Sequence, residues 1–168
     1  MSLHERIIGE IPHLRRFARA LARDANAADD LVQDCLERAL GSFPLLRKPA
    51  SLRAWLFRIL YNLHLDAVAA AARGPRPLDD ADIEPLLVEP PGQERQLIAR
   101  SALACLERLP AEQRAAIVLV AVEELSYADA AAVIGIPVGT LMSRLHRGCV
   151  RLRALMEGTP EARLRRVK

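Results

Sequence analysis

The side chains best suited to act on another molecule are cationic, aromatic or acidic rather than nucleophilic. Ser143, Arg144, His146, Arg147 and Arg151 crowd the run VGTLMSRLHRGCVR, with Met142 among them. Guanidinium forks, a hydroxyl and an imidazole at this spacing can hold phosphates and read base edges. A second set, Trp55, Arg58, Tyr61 and Asn62 in AWLFRILYN, interleaves aromatic rings with a guanidinium and an amide. That mixture suits stacking and hydrogen bonding to unpaired bases, or simply packing in a core. The third set is acidic, with Asp30, Gln33, Asp34 and Glu37 within eight residues. No comparable set points to catalysis, because His4, His13, His64 and His146 form no pattern with a nucleophile or paired carboxylates. Cys35, Cys105 and Cys149 are widely spaced with no CxxC pair, which points to reduced thiols packed as small hydrophobes. The expectation is a non-enzyme without metal or cofactor.

The elements that must position these groups are helices. With 51% apolar and 4% aromatic residues over 168 positions, the chain can build one ordinary domain or two small ones. Abundant Ala, Leu and Arg with few β-branched runs predict an all-α fold. No run of eighteen apolar residues occurs and the opening MSLHERIIGE lacks a signal-peptide core, so a cytoplasmic protein without membrane insertion is expected.

Charge divides the chain. Residues 140–168 carry eight basic side chains against Glu157 and Glu161, whereas residues 79–94 hold six acidic side chains and no base. The asymmetry points to a nucleic-acid partner at the C-terminal end. The acidic stretch also lies in a run containing Pro75, Pro77, Pro85, Pro90, Pro91, Gly74 and Gly92, which reads as an extended, flexible linker. The expected division is an N-terminal helical domain over 1–73, a linker over 74–94, a second helical domain over 95–157 and a basic tail over 158–168.

In the first domain a helix is expected over 4–23, with Pro12 as a boundary or kink. Another is expected over 28–40, with Leu31, Val32, Cys35, Leu36, Ala39 and Leu40 on one face and early carboxylates placed for the helix dipole. Its acidic face is either solvated or a docking surface for a basic partner. A third helix follows Ser51, a predicted N-cap, with Leu52, Leu56, Ile59, Leu60 and Leu63 facing the core and Phe57, Tyr61 and Leu65 on another side. A helix apolar on two sides sits between others.

In the second domain, helices are expected over 95–109, with Leu97, Ile98, Ala102, Cys105, Leu106 and Leu109 in phase, and over 111–122, around Ala115, Ile117, Val118 and Val122. SYADAAAVIGIPVGTLMSRLHRG at 126–148 then sets Ser126 as N-cap with Asp129 three residues on, ends a short helix at Gly135 in the left-handed conformation, and restarts near Pro137. The second arm buries Leu141, Leu145, Leu152, Leu155 and Met156, with Gly148 on that side, and turns Ser143, His146, Arg147 and Val150 outward. This is either a helix-turn-helix that projects a basic helix into a major groove or an αα-hairpin with a solvated basic face.

The ordered set of motifs resembles the extracytoplasmic-function sigma factors, compact sigma-70 relatives that keep regions 2 and 4. ADDLVQDCLERAL at 28–40 is similar to region 2.2, SLRAWLFRILYNLHLD at 51–66 to regions 2.3 and 2.4, and residues 106–156 to region 4. The resemblance implies that Asp30, Gln33, Asp34 and Glu37 grip core RNA polymerase. It implies that Trp55, Arg58, Tyr61 and Asn62, with the loop at 43–50 as pocket wall, open and read the promoter −10 element. It implies −35 contacts for Met142, Ser143, Arg144, His146, Arg147 and Arg151, although relatives often have a basic residue where this chain has Met142. Promoter DNA, core polymerase and an anti-sigma factor are the implied partners, with nucleoid association when active. ADDLVQDCLERAL with SLRAWLF resembles the general-stress branch of alphaproteobacteria. That branch also contains sigma-like mimics that titrate an anti-sigma factor. An autonomous helix-turn-helix regulator is the other alternative.

Overall fold

The structure, a computed structural model, describes residues 2–42, 52–74 and 93–158. The Ser51 cap, the loop at 43–50, nearly all of the linker and the basic residues of the tail lie outside the described residues. Everything regular within them is helical.

α1 (Leu3–Ala22), α2 (Ala25–Ser42) and α3 (Leu52–Ala71) form the first bundle. α1 opens on a reciprocal capping box: Ser2 Oγ accepts from Glu5 N–H at 3.2 Å, while Glu5 accepts from Ser2 N–H at 2.6 Å. Pro12 lies inside α1 and does not end it. The missing proline N–H costs about 3 kcal/mol, whereas Ile7, Leu14, Phe17, Ala18, Ala20 and Leu21 are all buried along the same helix. At about 1.5–3 kcal/mol for each large apolar side chain, packing wins. α2 starts three residues earlier than its hydrophobic pattern predicts. The cap is Asp24, whose carboxylate accepts from Ala27 N–H at 2.9 Å, so Asp29 and Asp30 fall beyond the first turn and Asp24 faces the helix dipole instead. Leu40, expected in the core, is exposed.

The second unit consists of α4 (Gln93–Glu107), α5 (Ala111–Ile117), a π-helical turn over Val118–Val122, α6 (Tyr127–Ile134) and α7 (Val138–Glu157). The expected helix over 111–122 thus changes pitch midway. In the π turn Glu123 N–H bonds back five residues to the Val118 carbonyl at 2.9 Å. The wider turn shifts the register. Val122, expected in the core, is 47% exposed, and Glu123 is buried instead. Leu97, expected in phase on α4, is also exposed.

The two units pack together, α3 against α6 and α1 against α5 and the π turn. Ala130 and Ala131 on α6 are buried, and their small side chains let α3 cross closely. Within the first bundle Phe17 on α1 meets Phe57 on α3 edge-on, with ring centroids 5.2 Å apart. α3 therefore lies between α1 and α2 on one hand and α6 on the other, although Leu65, expected on its second apolar side, is exposed.

Candidate nucleic-acid and polymerase interfaces

The corner at 135–137 is built locally. Ser126 Oγ accepts from Asp129 N–H at 3.0 Å and starts α6. Gly135 ends it with φ of 78°, a conformation that glycine adopts without steric cost, and donates to the Ala131 carbonyl at 2.8 Å. Pro137 precedes α7, which leaves α6 at 96°. Leu141 fixes α7 from beneath and is fully buried. The outcome is a short supporting helix and a long projecting one.

Met142, Ser143, His146 and Arg147 are exposed together and line one shallow open groove. His146, Arg147 and Arg151 continue it alongside Val150 and Ala154. Ser143 Oγ donates to the Gly139 carbonyl at 3.1 Å, and Arg147 Nε donates to the Ser143 carbonyl at 3.3 Å, so both side chains lie along their own helix. Arg144 stands apart. Its side chain is half-buried and 3.5 Å from Glu112. The sequence set of six is therefore brought together as five, with Arg144 turned toward Glu112 on α5.

On α3, Arg58 and Asn62 are exposed and Trp55 is half-buried against the core. Tyr61 does not join them. It is 7% exposed and stacks on Phe17 at a centroid distance of 6.4 Å and an interplanar angle of 20°. Burial raises its pKa, with Arg144 opposing and Glu112 adding to the shift. The group of four that the resemblance implies is thus a pair of exposed polar residues beside Trp55, with Tyr61 buried against Phe17.

On α2, Asp30, Gln33, Asp34 and Glu37 are all exposed, and Gln33 Nε2 donates to Glu37 Oε1 at 3.1 Å. The face is acidic and continuous, opposite Leu31, Val32, Cys35 and Ala39, which are buried.

A polar seam between the units was not foreseen. Glu123 Oε1 accepts from Arg16 Nε at 2.9 Å, and Glu123 Oε2 lies 2.5 Å from His13 Nδ1. Arg53, held to Glu10 at 2.7 Å, approaches the other ring nitrogen of His13 at 3.2 Å. Arg114 is buried and donates to the carbonyls of Ala20, Glu107 and Leu109, while Arg23 also donates to Glu107 O at 2.9 Å. Only the odd register of VEELS, with two adjacent glutamates after an apolar run, hints at the seam in the sequence.

Among the described residues no group of His, Cys, Asp or Glu is placed to hold a metal ion. No single helix there is long and apolar enough to cross a membrane; only the bent α6–α7 pair meets those criteria by length and composition.

A three-helix bundle with an acidic face, joined to a unit whose helix-turn-helix carries a basic groove, defines a two-region transcription factor of the sigma-70 type. Residues 7–61 match the family described as the Sigma2 domain of PhyR, and residues 99–152 match Sigma-70, region 4. Over 157 residues the chain is 40% identical to the ECF RNA polymerase sigma factor EcfG of Rhodopseudomonas palustris, covering 92% of this chain and 85% of that one. It is 37% identical over 150 residues to the ECF RNA polymerase sigma factor SigM of Mycobacterium tuberculosis, covering 85% of this chain and 71% of that one. The sigma factor RpoE of Bartonella quintana, solved in complex with the anti-sigma factor NepR, has a TM-score of 0.78 at 30% identity, covering 92% of this chain and 96% of that one. The chain belongs to the extracytoplasmic-function sigma factors, which direct RNA polymerase to promoters.

Proposed function

We propose that the chain divides this work among three surfaces. The first domain, 1–73, binds core polymerase through Asp30, Gln33, Asp34 and Glu37 and reads the −10 element through Arg58 and Asn62, with Trp55 beside them and Tyr61 joining once it leaves its stack on Phe17. The second domain, 95–157, reads the −35 element through Met142, Ser143, His146, Arg147 and Arg151, with Arg144 added when its contact with Glu112 is released. The linker 74–94 and the basic tail 158–168 complete the division. The observation that carries the −35 assignment is the shared exposed groove of Met142, Ser143, His146 and Arg147 on a helix set at 96° to its support. The factor serves a stress response, associates with the nucleoid when active, and is restrained by an anti-sigma factor of the NepR kind, a reading supported by the likeness to the RpoE chain solved with that inhibitor.

A second reading has one observation in its favour. The first domain matches the Sigma2 domain of PhyR, so the chain would instead be a mimic that titrates an anti-sigma factor. Co-elution with bacterial core polymerase, followed by footprinting of open complexes, separates the two. Protection at −35 with melting at −10 supports the sigma reading. Binding to an anti-sigma factor with no association with core supports the mimic.

A further inference from the structure

We infer that Gln113 is a positioning residue for promoter binding: its amide oxygen receives the Arg151 guanidinium and holds that fork against a DNA phosphate beside the −35 element. The inference rests on the assignment of α7 as the −35 reader and adds to it a residue of α5.

Gln113 is fixed at its base and unpaired at its tip. Its N–H donates to the Pro110 carbonyl at 3.0 Å in the first turn of α5, and its Cβ lies 3.3 Å from where a Cβ on Gly148 would stand. α7 therefore passes directly over this side chain. Among the described residues, Gln113 Oε1 is a buried side-chain oxygen with no hydrogen-bond partner. An unpaired buried acceptor costs free energy that an apolar side chain of the same length avoids, so the amide is a liability for folding until a donor reaches it.

The groove beside it supplies the donor. Gln113 lines that groove with His146, Arg147, Val150, Arg151 and Ala154. Arg144 already lies against Glu112, and Arg147 donates to the Ser143 carbonyl, whereas Arg151 is exposed. Arg151 stands three residues after Gly148, on the side of α7 that shares the groove with Gln113. Side chains on a helix lean toward its N-terminus, so the Arg151 fork can reach back over the turn that Gly148 leaves open above Gln113.

Placement along α7 decides what the fork holds. From Val138 to Arg151 the axis runs about 20 Å at about 1.5 Å per residue, whereas a major groove is about 12 Å wide. With the N-terminal turns of α7 in the groove, Arg151 lies over its sugar-phosphate rim. A guanidinium carries five N–H donors, so two can grip a phosphate while another bonds Gln113 Oε1. Contact with DNA strips water from the fork, and the amide replaces a bond so lost.

The test uses holoenzyme assembled from bacterial core polymerase and the full chain, on a duplex promoter that it protects at −35. Gln113→Met keeps the length of the side chain and removes the amide. It should leave the Tm of the free chain unchanged or raised and weaken promoter binding about threefold to tenfold, the range of one hydrogen bond. Arg151→Ala should weaken binding at least as much, and adding Gln113→Met to it should cost nothing further. Ethylation interference gives a sharper signature: Gln113→Met and Arg151→Ala should erase the same phosphate signal, with the rest of the −35 pattern and the base preference intact. Gln113→Leu takes the place of Gln113→Met if the methionine does not pack against Gly148. Additive losses, a Gln113→Met pattern that keeps the Arg151 phosphate, or a lower Tm with a uniform fall of the whole pattern overturns the inference. Arg147→Ala separates this from failure of the underlying reading. If it changes −35 base preference while Gln113→Met changes nothing, α7 reads the element without Gln113; if Arg147→Ala, Arg151→Ala and Gln113→Met all leave binding unchanged, the −35 assignment falls and the inference with it.

Discussion

Gly148 and Ile117 meet where α7 crosses α5, and a Cβ built on Gly148 would lie 2.8 Å from Ile117 Cδ1 and 3.3 Å from Gln113 Cβ. The recognition helix is therefore seated in a notch that a hydrogen fills. Replacing the glycine by alanine adds about 1 kcal/mol of helix propensity, but overpacking costs about 1–3 kcal/mol. Ile117 Cδ1 can swing aside, whereas Gln113 Cβ is fixed to its backbone. Gly148→Ala is expected to lose about 1 kcal/mol net, lowering Tm by roughly 2–4 °C for a chain of this size, and Gly148→Val to lose more. A raised Tm for the alanine variant would show that the notch is loose.

Arg114 reaches carbonyls on both sides of the seam and is buried. Burial lowers its pKa, as does Arg23, while Glu107 opposes them. Truncation leaves buried acceptors unpaired, at about 1–3 kcal/mol for each group so stranded. Arg114→Met is expected to cost roughly 3 kcal/mol, read as a lower urea midpoint. Arg114→Lys should recover little, because one ammonium cannot replace a guanidinium that bonds in several directions. Full recovery by lysine would mean that charge, rather than the fork, matters.

Cys35 and Cys149 should differ in reactivity. Burial pushes the Cys35 thiol up to about 12 from an ordinary value of 9.0, against a smaller opposing effect of the Leu60 backbone, and Cys149 is exposed. A thiol reagent at pH 8 should modify Cys149 in the native chain and reach Cys35 only after unfolding. The raised value also sets a pH dependence. The folded state keeps the Cys35 proton that the unfolded chain releases above pH 9.0. This contribution is complete below that pH and declines by about 1.4 kcal/mol per unit until the folded group titrates. Cys35→Ala should flatten the alkaline limb of a stability profile; an unchanged slope would place the proton elsewhere.

The helix-turn-helix was legible because its determinants are local. The Ser126 cap, the left-handed Gly135 and the buried Leu141 lie within sixteen residues, and each obeys a rule about backbone or helical phase. The seam was not legible, since Glu123 finds His13 and Arg16 at separations of 110 and 107 residues. Nothing in a period of 3.6 marks such a pair. Tyr61 and Arg144 depart from the resemblance for a nearer reason. Helical phase set Tyr61 on an apolar side with Phe57, and it stacks there on Phe17, while Arg144 finds Glu112 on α5. Val122 failed for a different reason, because the π turn altered the period on which its core assignment depended.

The −35 groove can be tested by how its side chains respond to salt and to sequence. Arg147 is exposed on the groove, with no carboxylate among the groove-lining residues. Arg147→Ala in the holoenzyme is expected to weaken promoter binding by about 1–3 kcal/mol and to relax discrimination at one −35 base pair. Arg144 gives up its neighbour Glu112 when it turns to DNA, so Arg144→Ala should cost less, about 1 kcal/mol. Met142 is 51% exposed at the rim of the same groove. A cation there would add one phosphate contact, so Met142→Arg should tighten binding uniformly across sequences and steepen the slope of log K against log salt by about 0.9. The three effects separate base reading from phosphate holding in one titration series. If Arg147→Ala changed only the salt slope and left base preference intact, Arg147 would be a phosphate contact and the base reader would lie elsewhere on α7.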